Sequence, residues 1–152
     1  MRIAIGSDHG GFELKEALRS WLEKSHVVSD VGTYSLDSVD YPEFARRVGE
    51  QVASGLVERG VLVCGTGIGI SIAANKIPGV RAALVHDVTT ARLAAEHNHA
   101  NILCLGGRLQ APSLACELVG IWLQTAFEPR HQHRLDMITR LEELSSSEPV
   151  AD

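Results

Sequence analysis

The sequence lacks long apolar runs and has no excess of positive charge. No apolar stretch reaches the roughly 18 residues that a membrane-spanning helix needs, and the N-terminal segment has neither the apolar run nor the cleavage site of a signal peptide. The 152 residues include 14 Lys and Arg against 19 Asp and Glu, for a formal net charge of -5. Broad nucleic-acid binding requires a basic surface. We therefore expect a cytoplasmic protein with no membrane or nucleic-acid partner, while a local basic pocket for a small anion stays compatible with this balance.

Cysteine is also scarce. The three cysteines are odd in number, widely spaced and set in apolar segments, which is typical of a reducing compartment rather than of a disulfide framework. Cys104 and Cys116 fit small core positions, whereas Cys64 stands directly before a glycine-rich segment.

The remaining composition is typical of one globular domain. Hydrophobic residues make up 45% of the chain and charged residues 22%, which argues against disorder. A chain of this length is too short for two catalytic domains. We predict a single domain over residues 1–144, followed by a short polar tail over residues 145–152.

Short apolar runs alternate with longer segments of helical periodicity. The predicted strands are Arg2–Ser7, Val27–Val31, Val61–Cys64, Ala82–Val85 and Ile102–Leu105. The predicted helices are Phe12–Lys24, Tyr41–Gly55, a segment starting at Ser71, Val88–Asn98 and Pro112–Gln124. Because the strand runs are almost continuously apolar, we expect every strand to be buried on both faces. The alternation predicts an α/β fold, a three-layer α/β/α Rossmann-like sandwich around a five-stranded parallel sheet.

A last helical segment follows Phe127 and is predicted to end at Leu144. Leu135, Ile138 and Leu141 form an apolar stripe along it. Since no sixth strand follows, this C-terminal helix packs either on its own domain or on a partner subunit.

The strongest candidate for a ligand site is the glycine-rich loop Gly65–Gly69. Ligands of open parallel sheets bind beyond the carboxyl ends of the strands, where this loop lies. Alternating glycines allow several backbone N–H groups to point at one anion, and the dipole of the following helix adds to the attraction. A tight turn with no ligand is the alternative.

The loop matches neither common nucleotide motif. No Gly-Lys-Ser/Thr ends it, and Ile70 and Ile72 stand where a third glycine of G-x-G-x-x-G is required. Asp87, about twenty residues further on, could bind a ribose hydroxyl, so a dinucleotide-binding domain stays open as an alternative.

Cys64 is a candidate base because it ends a strand next to this loop. A helix N-terminus or a nearby cation lowers the pKa of a thiol, and a thiolate could then abstract a proton while loop amides hold the developing oxyanion. An inert core cysteine is the alternative.

Other candidates are basic. Arg130 and Arg134, with His131 beside the first, could share a helix face and bind a phosphate, or could form a solvated surface stripe. The His97/His99 and His131/His133 pairs diverge by about 200° on a helix and have no cysteine or carboxylate at ligand spacing, so we expect no metal.

Five separated motifs together carry a family resemblance. They are Ser7-Asp8-His9-Gly10-Gly11-Phe12-Glu13-Leu14-Lys15, Asp40-Tyr41-Pro42, Cys64 to Lys76, His97-Asn98 and Arg130 to Arg134. In this order they resemble the type B ribose-5-phosphate isomerases, a family that also holds allose- and galactose-6-phosphate isomerases. The resemblance covers residues 1–144 and implies aldose–ketose isomerisation through a cis-enediolate, without metal or cofactor, in the non-oxidative pentose phosphate pathway.

The resemblance also implies roles for individual residues. Cys64 corresponds to the base, and His97 to a residue that opens the furanose with assistance from Thr66 and Asp8. The substrate-binding positions it implies are His9, Tyr41, Gly65, Gly67, Ile68, Gly69, Ser71, Asn98, Arg108, Arg130, His131 and Arg134.

The resemblance further implies an assembly. His9 would bind the phosphate of a phosphorylated sugar, while Arg130, His131 and Arg134 would reach it from the neighbouring subunit of a homodimer with shared active sites. A tetramer, a preference for allose or galactose phosphates, and a non-catalytic sugar-phosphate-binding subunit stay open.

Overall fold

Five parallel strands form one sheet in the computed structural model, which describes residues 1–147. The strands are β1 (Arg2–Ser7), β2 (Val27–Asp30), β3 (Arg59–Cys64), β4 (Ala82–Leu84) and β5 (Ile102–Gly106). They lie in the order β2-β1-β3-β5-β4, and each neighbouring pair is parallel. Helices cover both faces, which confirms the predicted three-layer α/β/α fold.

The helices divide between the two faces of the sheet. They are α1 (Phe12–Leu22), α2 (Tyr41–Ala53), α3 (Ile68–Ala74), α4 (Val88–Glu96), α5 (Pro112–Gln124) and α6 (Gln132–Ser147). Side chains of α1, α4 and α5 share one core cluster with Ile3, Ile5 and Leu103. Those of α2 and α3 share the other with Ala4 and Leu62. Successive strand side chains point to opposite faces, so two cores form on one sheet.

The expectation that every strand is buried on both faces is wrong for β2 and β4. These two strands are the edges of the sheet, where the neighbouring helices cover them only in part, and their residues are half-buried or exposed. The central strands β1, β3 and β5 are buried along almost their whole length.

The C-terminal helix α6 leaves most of its apolar stripe uncovered. Leu135 is buried, but Ile138 is 39% and Leu141 65% exposed. A groove of about 760 Å³ lies between this stripe and the edge strand β4. The helix runs to Ser147, beyond the predicted end at Leu144, while residues 148–152 of the predicted tail lie outside the described residues.

No helix within residues 1–147 combines the length and the apolar character that a membrane crossing requires.

Candidate active site

The chain changes direction between β1 and β3, in the middle of the sheet. From β1 it continues to α1 on one face, and from β3 to α3 on the other. The two connections therefore diverge beyond the contact of Gly10 with Gly65 and border a crevice at the carboxyl edge, the usual ligand position in an open parallel sheet. Asp8 directly follows β1 and Cys64 ends β3, so both predicted residues lie at this crevice.

The loops after β1, β3 and β5 touch one another. A β-carbon at Gly10 would lie 3.2 Å from the backbone nitrogen of Gly65, and one at Gly107 would lie 2.6 Å from the carbonyl oxygen of Gly10. Arg108 donates its backbone N–H to the Gly65 carbonyl at 3.0 Å. Its guanidinium Nη1 lies 3.1 Å from the place of a Gly65 β-carbon, which brings a cation to the start of the glycine loop.

The Cys64 thiol faces the glycine loop. Its Sγ accepts a hydrogen bond from the backbone N–H of Gly67 at 3.1 Å, and the residue is 4% exposed. Burial raises the pKa of the Cys104 thiol strongly, and burial also raises that of Cys116. Cys104 is fully buried and Cys116 packs against the core, as expected for these two positions. Cys64 is thus the thiol that the fold places beside a backbone donor at the crevice.

The glycine loop turns into α3 earlier than the periodicity indicates. The predicted start at Ser71 is wrong, because Gly67 has φ of 80° and directs the chain into a helix that begins at Ile68. Ser71 therefore lies inside α3, where its hydroxyl donates to the Ile68 carbonyl at 2.7 Å. The Thr66 hydroxyl stays at the mouth of the loop and accepts from the Ile68 N–H at 3.2 Å.

Tyr41, the first residue of α2, lies directly over the loop. A β-carbon at Gly69 would lie 2.5 Å from Cζ and 2.8 Å from the hydroxyl oxygen of Tyr41. Any side chain at Gly69 would push the ring away, so the small residue there is required by this contact.

Asp8 and His9 are held in place by backbone groups. The Asp8 carboxylate accepts from the Gly11 N–H at 3.0 Å and caps a short 3-10 turn over His9–Gly11. The Val39 N–H donates to Nδ1 of His9 at 3.2 Å. Because Nδ1 accepts, the proton of the neutral His9 ring lies on Nε2, which is then the nitrogen available to donate to a ligand.

The remaining predicted residues form a second cluster. The rings of His97 and His131 have centroids 4.4 Å apart, and Arg134 Nη1 lies 3.4 Å from His131 Nδ1. The Glu128 N–H donates to the Glu96 carbonyl at 2.9 Å and ties the segment before α6 to the end of α4. Exposed Arg130 and Asn98 belong to the same two segments.

Glu128 is the residue of this cluster that sequence reasoning missed. Arg130 Nε donates to its carboxylate at 2.5 Å and thereby lowers the pKa of Glu128. Burial, with the charges of Arg130 and other neighbouring cations, lowers the pKa of His131. One ligand-type atom of each of His97, Glu128 and His131 lies within 4.8 Å of the other two. The available signal was the i,i+3 spacing of Glu128 and His131, which places both side chains on one face of a helical turn.

Within one chain, the cluster around Cys64 lies at the carboxyl ends of the strands, which we call the carboxyl edge, and the cluster around His97 lies at their amino ends, the amino edge. Cys64 ends β3, whereas His97 directly follows α4 and precedes the start of β5 at Ile102 by five residues. Five residues of β5, at about 3.3 Å each, separate these edges by about 16 Å. The fold therefore brings Asp8, His9, Tyr41, Cys64, Thr66 and Arg108 to the carboxyl edge, and His97, Asn98, Arg130, His131 and Arg134 to the amino edge.

Asp87, which the dinucleotide-binding alternative assigned to a ribose hydroxyl, has another role in the structure. Asp87 is the N-cap of α4, and its carboxylate accepts from the Thr90 N–H at 2.8 Å. This bond stabilises the start of the helix and engages the group that would have bound a ribose.

Comparison with known proteins identifies the same family as the sequence motifs, over most of the chain. The chain matches the Ribose/Galactose Isomerase family over residues 3–138. It is 44% identical over 144 residues to ribose-5-phosphate isomerase B of Escherichia coli (strain K12), covering 93% of this chain and 97% of that protein. It is 41% identical over 145 residues to galactose-6-phosphate isomerase subunit LacB of Clostridium acetobutylicum, covering 95% of this chain and 83% of that protein.

A solved structure is equally similar. Ribose-5-phosphate isomerase B from Clostridium thermocellum has a TM-score of 0.94 and 48% sequence identity, with 95% of this chain and 99% of that chain covered. The chain therefore belongs to the Ribose/Galactose Isomerase family and is an aldose–ketose isomerase.

Proposed function

We propose that this protein interconverts ribose 5-phosphate and ribulose 5-phosphate through a cis-enediolate, as a step of the non-oxidative pentose phosphate pathway, with Cys64 as the base. The observation that carries the proposal is the Cys64 sulfur, held against the Gly67 amide at the carboxyl-edge crevice. The similarity to the ribose-5-phosphate isomerases B from two bacteria supports the substrate.

The reaction is a proton transfer between neighbouring carbons. The Cys64 thiolate takes the proton from C2 of the open-chain aldose, and the electrons move onto the C1 carbonyl oxygen. The Gly67 and Ile68 N–H groups already donate to Cys64 Sγ and Thr66 Oγ1, so the other backbone N–H groups of the Gly65–Gly69 loop stabilise the charge of the enediolate. A proton moves between the two oxygens, and return of the first proton from sulfur to C1 gives the ketose. No electron donor or acceptor is consumed.

The carboxyl-edge cluster holds Asp8 and Thr66 but lacks His97, the main ring-opening residue that the family resemblance implies, and most of the implied phosphate ligands. Because His97, Arg130, His131 and Arg134 lie at the opposite edge of their own chain, we propose that a second copy of the chain supplies them. His97 then comes from the same subunit as the arginines. Bound phosphate fixes the sugar against the thiol and turns binding energy into orientation.

The uncovered apolar stripe of α6 supports a homodimer as the smallest active unit. Ile138 and Leu141 are exposed beside the groove along β4, and a second subunit would remove them from water. Dimer and tetramer both satisfy this requirement. A reducing compartment such as the cytoplasm suits the mechanism, because it keeps the Cys64 thiol from being oxidised.

A galactose or allose 6-phosphate is the second candidate substrate. The 41% identity to a galactose-6-phosphate isomerase subunit favours it, and the proton chemistry at Cys64 would be the same. Comparing kcat/KM for ribose, allose and galactose phosphates identifies the preferred sugar. Binding without turnover of any of the three would instead indicate a non-catalytic sugar-phosphate-binding subunit.

The decisive experiment follows ribulose 5-phosphate formation from ribose 5-phosphate by the wild-type protein and by Cys64→Ala. We expect the variant to lose turnover by at least about a hundredfold and to keep sugar-phosphate binding, since a general base contributes factors of this order. Cys116→Ala is the matched control and keeps full activity. Near-normal turnover by Cys64→Ala would remove this thiol from the role of base.

A further inference from the structure

The amino-edge cluster contains three side chains of the types that bind transition metals. His97 directly follows α4, while Glu128 and His131 belong to the segment just before α6. One ligand-type atom of each lies within 4.8 Å of the other two, and Nε2 of His131 is 3.7 Å from Oε2 of Glu128. Ligand atoms at about 2 Å from a tetrahedral zinc ion stand about 3.4 Å apart. Side-chain rotations that move these atoms by about 1 Å therefore bring all three to zinc-binding distances.

His131 carries a second, independent sign of a missing ligand. Its Nε2 is buried and has no hydrogen-bond partner among the described residues, and the residue is only 7% exposed. Burying a ring nitrogen without a partner costs free energy, and this nitrogen lies 3.7 Å from the nearest Glu128 carboxylate oxygen, Oε2. A metal ion placed there would satisfy it.

We propose that His97, Glu128 and His131 bind one divalent transition-metal ion per chain, with zinc as the best fit. Two imidazoles and one carboxylate are a ligand set that zinc accepts, with the fourth position left to water. The proposal concerns binding, and it assigns the ion no part in isomerisation.

Two arginines, Arg130 and Arg134, weaken the binding of a metal ion at this cluster. Arg130 already donates to Glu128 at 2.5 Å, and Arg134 lies 3.4 Å from Nδ1 of His131. When Nε2 binds a metal, the ring proton lies on Nδ1, and the exposed Arg134 must then move away. Both positive charges also repel a divalent cation. Removing either arginine should therefore tighten zinc binding, which a merely structural effect of the substitution would not do.

Bound zinc should inhibit the enzyme, a consequence that rests on the proposed function. It would occupy the imidazole of His97, which the proposed reaction uses to open the sugar ring, together with His131 on the phosphate side. Inhibition should be reversed by a chelator and weakened by saturating ribose 5-phosphate, because sugar and metal compete for the same side chains.

Zinc titration by calorimetry of the full chain tests the site directly. We expect one zinc per wild-type chain, and binding at least about tenfold weaker for His97→Gln and for Glu128→Gln, as is usual when a metal site loses one of its supporting groups. Arg134→Ala should bind zinc about threefold tighter or more, since it removes one repelling charge. His133→Ala is the matched control: it removes an exposed histidine two residues from His131 and leaves zinc binding unchanged.

The Cys64 thiol needs a separate control, since thiolates also bind zinc and the proposed dimer brings the partner's Cys64 close to this cluster. Cys64→Ser should keep full zinc binding. The proposal is overturned if wild-type protein binds no zinc at micromolar concentrations, if His97→Gln and Glu128→Gln bind as well as wild type, or if Cys64→Ser alone abolishes binding. These outcomes do not depend on turnover. A protein inactive on ribose 5-phosphate would contradict the proposed function, while the titration would still test the zinc site.

Discussion

The backbone N–H of Gly67 donates a hydrogen bond to the Sγ of Cys64 at 3.1 Å, and Gly67 makes that bond with φ of 80°. A positive φ is favourable for glycine and costs other residues free energy, because their β-carbon meets the backbone. The orientation of the thiol therefore depends on a backbone conformation three residues away.

Gly67→Ala should damage both stability and catalysis. Besides the unfavourable φ, the new β-carbon would lie 2.6 Å from Cδ1 of Leu84 and 2.9 Å from the backbone carbon of Leu105. We expect a loss of roughly 2–3 kcal/mol in the free energy of unfolding, from urea denaturation, and at least a tenfold fall in kcat, since the amide leaves the sulfur.

Gly55→Ala is the matched control for this prediction. Gly55 has φ of 75°, but nothing lies within 4 Å of the place of its β-carbon. It should lose only about 1–2 kcal/mol of stability, from φ alone, and keep wild-type kcat. Equal losses of kcat in the two variants would show that the loop contact at Gly67 has no catalytic role.

Glu16 should make the protein less stable in acid. Hydrogen bonds from Arg19 and from the fully buried Lys15 lower the pKa of Glu16 from 4.5 to about 2. Since the folded pKa lies below the unfolded one, this stabilisation is present above pH 4.5 and is lost as the pH falls toward about 2. Glu16→Gln should therefore flatten the decline in unfolding free energy over this range, measured by urea denaturation at successive pH values.

Glu43→Gln tests whether burial matters in this effect. The pKa of Glu43 is also lowered to about 2, by Arg46 and Arg47, but these groups are exposed to solvent, which screens their charges. We expect Glu43→Gln to change the acid profile less than Glu16→Gln. A larger change for Glu43→Gln would contradict the importance of the buried Lys15.

Leu141→Glu should separate the subunits without unfolding them. Leu141 is 65% exposed on α6, so a carboxylate there disturbs little within one chain, yet it would be buried unpaired in the proposed interface. We expect sedimentation velocity to show monomers, with isomerase activity lost. Leu56→Glu, at a leucine 59% exposed after α2, should remain dimeric and active. A dimeric, active Leu141→Glu would place the interface elsewhere.

The sequence predicts the order of elements well because local signals mark them. Pro112 begins a helix and periodicity carries it to Gln124, so these bounds agree with α5. It fails where a bound depends on one backbone angle. The positive φ of Gly67 starts α3 three residues before Ser71, and no periodic pattern shows such an angle. The predicted burial of β2 and β4 is wrong for a similar reason. Which strands lie at the edges of the sheet depends on strand order, and strand order is set by tertiary contacts rather than by local sequence.

The location of one part of the candidate site could be predicted from the sequence, whereas the cluster around His97 and Glu128 could not. The glycine loop and Cys64 end a strand, so their meeting at the carboxyl edge follows from parallel topology. Glu128 was not identified from the sequence because its place in the cluster depends on His97, a residue about thirty positions earlier. The two side chains come near each other only when α4 and α5 pack together.

Mixing inactive variants tests whether two chains share each active site. Because His97 and Arg134 lie in one cluster and Cys64 at the opposite edge, Cys64→Ala mixed with His97→Ala should form heterodimers with one intact site. Random exchange then restores about a quarter of wild-type activity, since half of the dimers hold one good site of two. His97→Ala mixed with Arg134→Ala should restore none, because every site then contains one damaged copy of the same cluster. Recovery in the second mixture, or none in the first after mass spectrometry has shown subunit exchange, would mean that His97 acts within its own chain.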